Sequence, residues 1–151
     1  MTSAELDPAA APQRLQRLGS WLINQAGLRA TRIIGVRFGE VDARRDQYAV
    51  MVALDELGQA SQAELGRRLM LDRSDMSALI DELESAGHAV RERDEQDRRR
   101  NVIRLTDAGT ARLRELDVVA DAVQDDLLAP LSEDEREALV GLLQRLVAHH
   151  R

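Results

Sequence analysis

Cysteine is absent from the 151 residues, and so is lysine: all 21 basic side chains are arginine. The first absence excludes a disulfide scaffold, a thiolate zinc site and any thiol redox switch. The second excludes Schiff-base and P-loop lysine chemistry. Aromatic residues are nearly missing as well, with a single Trp21, a single Phe38 and a single Tyr48. A core built from this chain is therefore aliphatic, and a stacking platform for single-stranded nucleic acid is lacking. The longest apolar run, Ala49 to Leu54, falls far short of the roughly 20 residues that a membrane span needs. The N-terminal stretch is acidic and has no apolar signal core, so the expected location is the cytoplasm.

What is present suits one globular domain, since a domain takes about 150 residues. Hydrophobic residues make up 44% and charged residues 32%, an ordinary balance. The net charge of −6 argues at first against a nucleic-acid partner, but the charges are unevenly placed. Residues 1–61 hold 7 Arg and 7 acids, residues 62–105 hold 9 and 10, and residues 106–151 hold 5 and 10. Most of the negative excess thus lies in the last third. The seven residues from Arg98 to Arg104 contain four Arg and no acid, and such asymmetry is a physical cue about partners.

Hydrophobic periodicity orders the chain. After a loose start containing Pro8 and Pro12, residues 13–38 read as a long helix with Leu15, Leu18 and Leu22 on one face. A second helix runs from about Arg44 to Leu57 and stops at Gly58. Ser61-Gln62-Ala63-Glu64 has the form of a capping box opening a short helix over 62–69. Asp72, after a brief turn, caps a helix over 73–86 in which Met76, Leu79, Ile80 and Leu83 follow the i, i+3, i+4, i+7 pattern. Two helices joined this way make a helix-turn-helix unit. His88 to Arg93 and Val102 to Leu105 read as the strands of an antiparallel hairpin with a polar tip, a wing. From Thr106 a long helix carries Leu113, Leu116, Ala120, Val123 and Leu127 at coiled-coil spacing until Pro130. Ser132 to Glu135 opens a last helix with Leu139, Leu142, Leu143, Leu146 and Val147 on one face. The fold class is mainly α with a small β-hairpin wing. The apolar stripes of the terminal helices either pack within the chain or form a dimer interface, and the latter is expected. A DNA-binding unit of this size usually reads two half-sites about one helical turn apart.

The segment from Gln62 to Gly109 resembles the winged helix-turn-helix of the MarR family of bacterial transcriptional regulators. The most specific stretch is DEQDRRRNVIRLTDAG, Asp94 to Gly109: Asp, two residues, Asp-Arg-Arg, then a strand ending Leu-Thr with Gly three residues later. The flanking helices fit the family's order too, so the resemblance covers the whole chain. It implies a single MarR-like chain over 1–151, with a helical dimerisation region at 1–43 and 106–151 and a winged DNA-binding region at 44–105. It also implies a homodimer with intertwined terminal helices. Leu15, Leu18, Leu22, Val123, Leu127, Leu139, Leu142, Leu143 and Leu146 are the expected interface residues.

By the same resemblance the second helix of the motif enters the major groove, with Arg73, Ser74, Asp75 and Ser77 on its outward face. Arg can fork onto guanine and Ser can bond several base edges. Ser74 and Ser77 equally suit phosphate contacts or capping, and Asp75 suits the helix dipole better than a base. Ala78 departs from the family, where an Arg often stands, which shifts weight to Arg73 and the wing. In the wing, Asp97 and Arg99 match an Asp-supported Arg inserted into the minor groove, flanked by Arg98 and Arg100. A narrow groove concentrates negative potential and attracts guanidinium; the plainer alternative is a solvated charged loop. Arg91, Arg93 and Arg104 on the strands either approach phosphates or pair with Glu92 and Asp94.

The resemblance further implies release from DNA by a small, often aromatic or anionic effector, with Trp21, Arg32, Arg37 and Tyr48 as candidate pocket residues. Trp21, the only indole, suits a core or interface position better than a ligand-lining one. His149-His150 does not form a metal pair, because helical neighbours point about 100° apart, and His88 reads as a spacer. No metal or cofactor is expected, nor an enzyme, since no nucleophile triad, metal cluster, phosphate loop or paired-carboxylate site is visible. The expected function is a homodimeric, sequence-specific DNA-binding repressor of a pseudo-palindromic operator. The rival is a winged-helix protein-interaction module that has lost DNA binding, favoured by Ala78 and by Asp75, Asp81 and Glu82.

Overall fold

The computed structural model describes residues 11–150; Pro8 and the rest of the first ten residues lie outside that range. Among the described residues, seven helices and two strands follow in the order α1 (Gln13–Gln16), α2 (Gly19–Gly39), α3 (Arg45–Leu57), α4 (Gln62–Leu69), α5 (Arg73–Ser85), β1 (Ala89–Arg93), β2 (Asn101–Leu105), α6 (Asp107–Leu127) and α7 (Glu133–His149).

The expected helix over 13–38 is divided. The Leu18 amide closes onto the Leu15 carbonyl at 3.0 Å. Leu18 then turns extended (φ −93°, ψ 114°) and caps α2 without a side-chain bond. Gly19, a poor choice for a helix interior, instead occupies the first position of α2. At α4, α5, α6 and α7 the caps are side-chain oxygens. Ser61 Oγ accepts from the Glu64 amide at 3.2 Å and Asp72 Oδ1 from the Asp75 amide at 2.8 Å. Ser132 and Glu135 form the full reciprocal box, whereas Glu64 turns its carboxylate to Arg68 at 2.9 Å.

β1 and β2 pair antiparallel with Ala89 opposite Leu105 and Arg93 opposite Asn101. Ala60 adds a one-residue third strand, exchanging hydrogen bonds of 3.0 and 2.8 Å with Ile103. The Leu-Thr-x-x-Gly signature has a mechanical reason. Thr106 Oγ1 caps α6 by accepting from the Gly109 amide at 3.0 Å and donates to the Gly87 carbonyl at 2.6 Å. A Cβ at position 109 would lie 1.9 Å from the His88 carbonyl oxygen, so only glycine lets α6 start against the end of α5.

The core is continuous and aliphatic. Val50, Met51 and Leu54 of α3, Leu65 of α4, and Met76, Leu79, Ile80 and Leu83 of α5 are buried with Ile103, Leu113 and Leu116. The helix α2 packs along α6, and α3 joins that pair to the winged unit. Val123, expected at a dimer interface, is 2% exposed and belongs to this core of the single chain. It faces inward because it continues the Leu113–Leu116 stripe against which α2 packs. The other stripe residues are open. Leu18 is 50% and Leu142 55% exposed, Leu15, Leu22, Leu143 and Leu146 are also exposed, and Leu127 and Leu139 are half-buried. No side chain of α7 is buried.

Candidate nucleic-acid interface

Three elements converge on one face. Leu65 and Met76, both fully buried, lock α4 against α5. The turn between them is tight: the Leu71 amide donates to the Gly66 carbonyl at 3.0 Å, and Met70 adopts the left-handed conformation at φ 54°. With Met76, Leu79, Ile80 and Leu83 inward, α5 presents Arg73, Ser74, Asp75 and Ala78 to solvent, while Ser77 is half-buried. The cap of α5 is Asp72, not Asp75. The open groove between α4, the start of α5 and the base of the wing is lined by Ser61, Gln62, Arg67, Arg73, Arg100 and Asn101. Arg67 was not singled out in the sequence; its position one turn before the helix-turn-helix bend is the signal that could have found it.

The wing loop is a hydrogen-bonded turn. The Asp94 amide donates to the Arg100 carbonyl and the Arg100 amide to the Asp97 carbonyl, both at 2.9 Å. Asp97 Oδ1 accepts the backbone amide of Arg99 at 3.0 Å, and Asp94 Oδ1 that of Gln96 at the same length. Asp97 therefore fixes the peptide that carries Arg99 rather than gripping its guanidinium. Arg98, Arg99 and Arg100 are exposed, with no carboxylate in ion-pair range among the described residues; Arg67, Arg73 and Arg93 share that state.

The three strand arginines have separate fates. Arg104 forks onto Glu92 at 2.7 and 2.9 Å. That hydrogen bond holds the Glu92 carboxyl below its usual range and raises Arg104 in turn. Arg91 pairs with neither Glu92 nor Asp94. It reaches back to α5, with Nη2 at 2.7 Å from Asp81 and Nη1 at 3.0 Å from Glu84. Successive side chains of a strand point to opposite faces, so Arg91 faces α5 while its neighbour Glu92 faces Arg104. Arg93 has no such partner.

The residues considered for an effector pocket are engaged separately. Arg37 pairs with Asp126 at 2.6 Å and Glu40 at 3.8 Å. The Tyr48 hydroxyl donates to Asp117 at 2.9 Å and its ring packs 5.4 Å from that of Phe38. Burial, then the Asp117 bond, pushes the Tyr48 phenol up to about 12. Tyr48 lines a shallow groove with Arg45, Val52, Leu57 and Arg68, without Trp21, Arg32 or Arg37. Trp21 is half-buried and Arg32 exposed on α2. Among the described residues no three His, Cys, Asp or Glu side chains gather as a metal site, and no helix is long and apolar enough to cross a membrane.

A helix-turn-helix followed by a paired hairpin, with uncompensated arginines on the second helix and the hairpin tip, defines a winged-helix DNA-binding protein. The sequence profile of the MarR family matches residues 42–100. A probable transcriptional regulator from Pseudomonas aeruginosa is 33% identical, superposes with a TM-score of 0.78, and aligns over 88% of this chain and 99% of its own. The transcriptional repressor CouR, solved bound to a 23-mer DNA duplex, is 30% identical with a TM-score of 0.81, covering 89% of this chain and 95% of its own. The regulator PcaV from Streptomyces coelicolor, solved with its natural ligand, is 29% identical with a TM-score of 0.78 over 93% and 99%. The chain belongs to the MarR family of transcriptional regulators.

Proposed function

We propose that the chain is a homodimeric repressor that binds a pseudo-palindromic operator, with a small-molecule effector that weakens the complex. The observation that carries DNA recognition is the convergence of Arg67, Arg73 and Arg100 on the groove between α4, α5 and the wing. In this reading Arg73, Ser74 and Ser77 work in the major groove and Asp75 serves the helix start. Arg98, Arg99 and Arg100 work at the minor groove, where Asp97 holds the wing backbone, and Arg93 approaches a phosphate. The open apolar faces of α1, α2 and α7, with Leu15, Leu18, Leu22, Leu142, Leu143 and Leu146 exposed and Leu139 half-buried, support the second copy. An effector is supported by the ligand-bound relative PcaV. The division of labour follows, with residues 44–105 reading DNA and residues 1–43 and 106–151 making the dimer.

Against the interaction-module reading, two of its three carboxylates are paired within the chain: Asp81 with Arg91, and Glu82 with Arg44 and Gln47. A mobility shift on DNA upstream of the chain's own gene, repeated across a salt series, tests the proposal. Affinity should fall steeply with salt, with a slope of about −0.9 per neutralised phosphate. Absence of binding to any genomic fragment would favour the interaction module.

A further inference from the structure

The helix proposed for the major groove is strongly acidic. Arg73–Ser85 contains one Arg against Asp75, Asp81, Glu82 and Glu84, a net charge of 1 − 4 = −3. A helix of that charge is repelled by a phosphate-lined groove. Three of the four carboxylates are met by arginines from outside the helix. Glu82 takes Arg44, at the start of α3, together with the Gln47 amide at 2.8 Å. Asp81 and Glu84 both take Arg91, which also donates its backbone amide to Glu84 at 3.1 Å. The guanidinium of Arg91 is thus spent on two carboxylates of the helix and lies on the face of β1 turned toward it.

We infer that Arg91 is a positioning and screening residue for DNA recognition rather than a phosphate contact: by clamping Asp81 and Glu84 it cancels negative charge on the recognition helix and fixes the wing to that helix. This rests on the DNA-binding reading above. Two consequences follow from the geometry. The bridge ties the strand that carries the wing to the second half of the helix. The charge presented to DNA is set largely by residues outside the helix, leaving Asp75 as its one carboxylate outside these pairs and Arg73, Arg67 and the wing arginines unpaired. A fork bonding two carboxylates needs the planar guanidinium, which the single ammonium of lysine does not reproduce.

The test is a mutant cycle on the full chain, measured by fluorescence anisotropy on two duplexes, one from upstream of its own gene and one of mixed sequence. Arg91→Ala leaves two carboxylates of the recognition helix unpaired and is expected to weaken binding by at least about tenfold at low salt. The same substitution in an Asp81→Asn/Glu84→Gln background should cost several-fold less, because no carboxylates remain to be screened. Arg91→Lys should fall between. Circular dichroism confirms that each variant keeps its fold, and Arg91→Gln serves in place of Arg91→Ala if the latter does not. An Arg91 penalty of equal size in both backgrounds overturns the inference and makes Arg91 a direct DNA contact. Binding of neither duplex by the wild type removes the DNA-binding reading itself, a result distinct from an unchanged penalty.

Discussion

The winged unit and the terminal helices are built on opposite plans. From α3 to β2 most large apolar residues are consumed: Leu65, Met76 and Ile80 are fully buried and Met70, 86% exposed, is the exception, while unpaired arginines stand open on the α4–α5–wing face. In and beside α1, α2 and α7 the arginines are scattered and large apolar side chains stay open, with Leu18, Leu22, Leu142 and Leu146 all exposed. Unsatisfied charge on one region and unsatisfied hydrophobic area on the other call for different partners. A polyanion suits the first, and a second apolar face, which exposed stripes of this kind usually mark, suits the second.

The largest expected effects break the closed region. Gly109→Ala should lower unfolding free energy by about 3 kcal/mol or more, because the clash is with the His88 backbone and only a shift of α6 away from the link between α5 and β1 relieves it. Gly27→Ala, where an added Cβ meets nothing within 4 Å of the single chain, should instead be neutral or stabilise by about 0.4–1 kcal/mol. Equal losses in denaturant titration for the two glycines would contradict the packing described.

Opening the other region should change assembly before stability. Leu18→Glu with Leu142→Glu places charge in both stripes and is expected to give a monomer by sedimentation. The wild-type melting temperature should rise with protein concentration, as for any folded state stabilised by association, and that dependence should vanish in the variant. A wild type that sediments as a monomer would leave the apolar faces without the partner assigned to them.

A smaller effect separates committed from uncommitted arginines. Arg99→Ala should weaken DNA binding by roughly 1–3 kcal/mol, the range for a base or groove contact. Arg104→Ala removes a guanidinium already forked onto Glu92, so its loss should be smaller. The reverse order in mobility shifts would mean that the Arg104–Glu92 pair opens on DNA.

How much of this was legible depended on whether the signal is local. The caps at Ser61, Asp72 and Ser132, the inward stripe of α5 and the hairpin all follow from residues within one or two turns of each other. The break at Leu18 was missed because glycine at position 19 is ambiguous between a weak helix interior and a helix start. The Ala60 strand left no trace, since a single bridging residue has no periodicity. Val123 was misplaced because heptad spacing marks an apolar face without saying whether the chain itself covers it. The partners of Arg91 were out of reach for another reason. Strand alternation sends neighbouring side chains to opposite faces, and only the docking of β1 on α5 decides that Asp81 and Glu84 lie opposite.

The smallest effect concerns the seam between the two regions. Tyr48 on α3 bonds Asp117 on α6, and it is the only tyrosine in the chain, so absorbance at alkaline pH reports on that seam alone. In the folded protein its midpoint should lie near the value of about 12 that burial and Asp117 impose; in denaturant it should return to about 10. The folded state favours the neutral phenol, so this contribution to stability is complete below about pH 10 and is lost as pH rises through the folded value. With no lysine to deprotonate, the arginine cations persist over that range, which keeps other titrations from masking it. Asp117→Asn, which removes the charge while keeping an acceptor, should lower the folded midpoint without restoring the denatured value, because burial is the larger cause. A native midpoint already at the denatured value would show that α3 and α6 part at this contact, and that the two regions are less firmly joined than their continuous core implies.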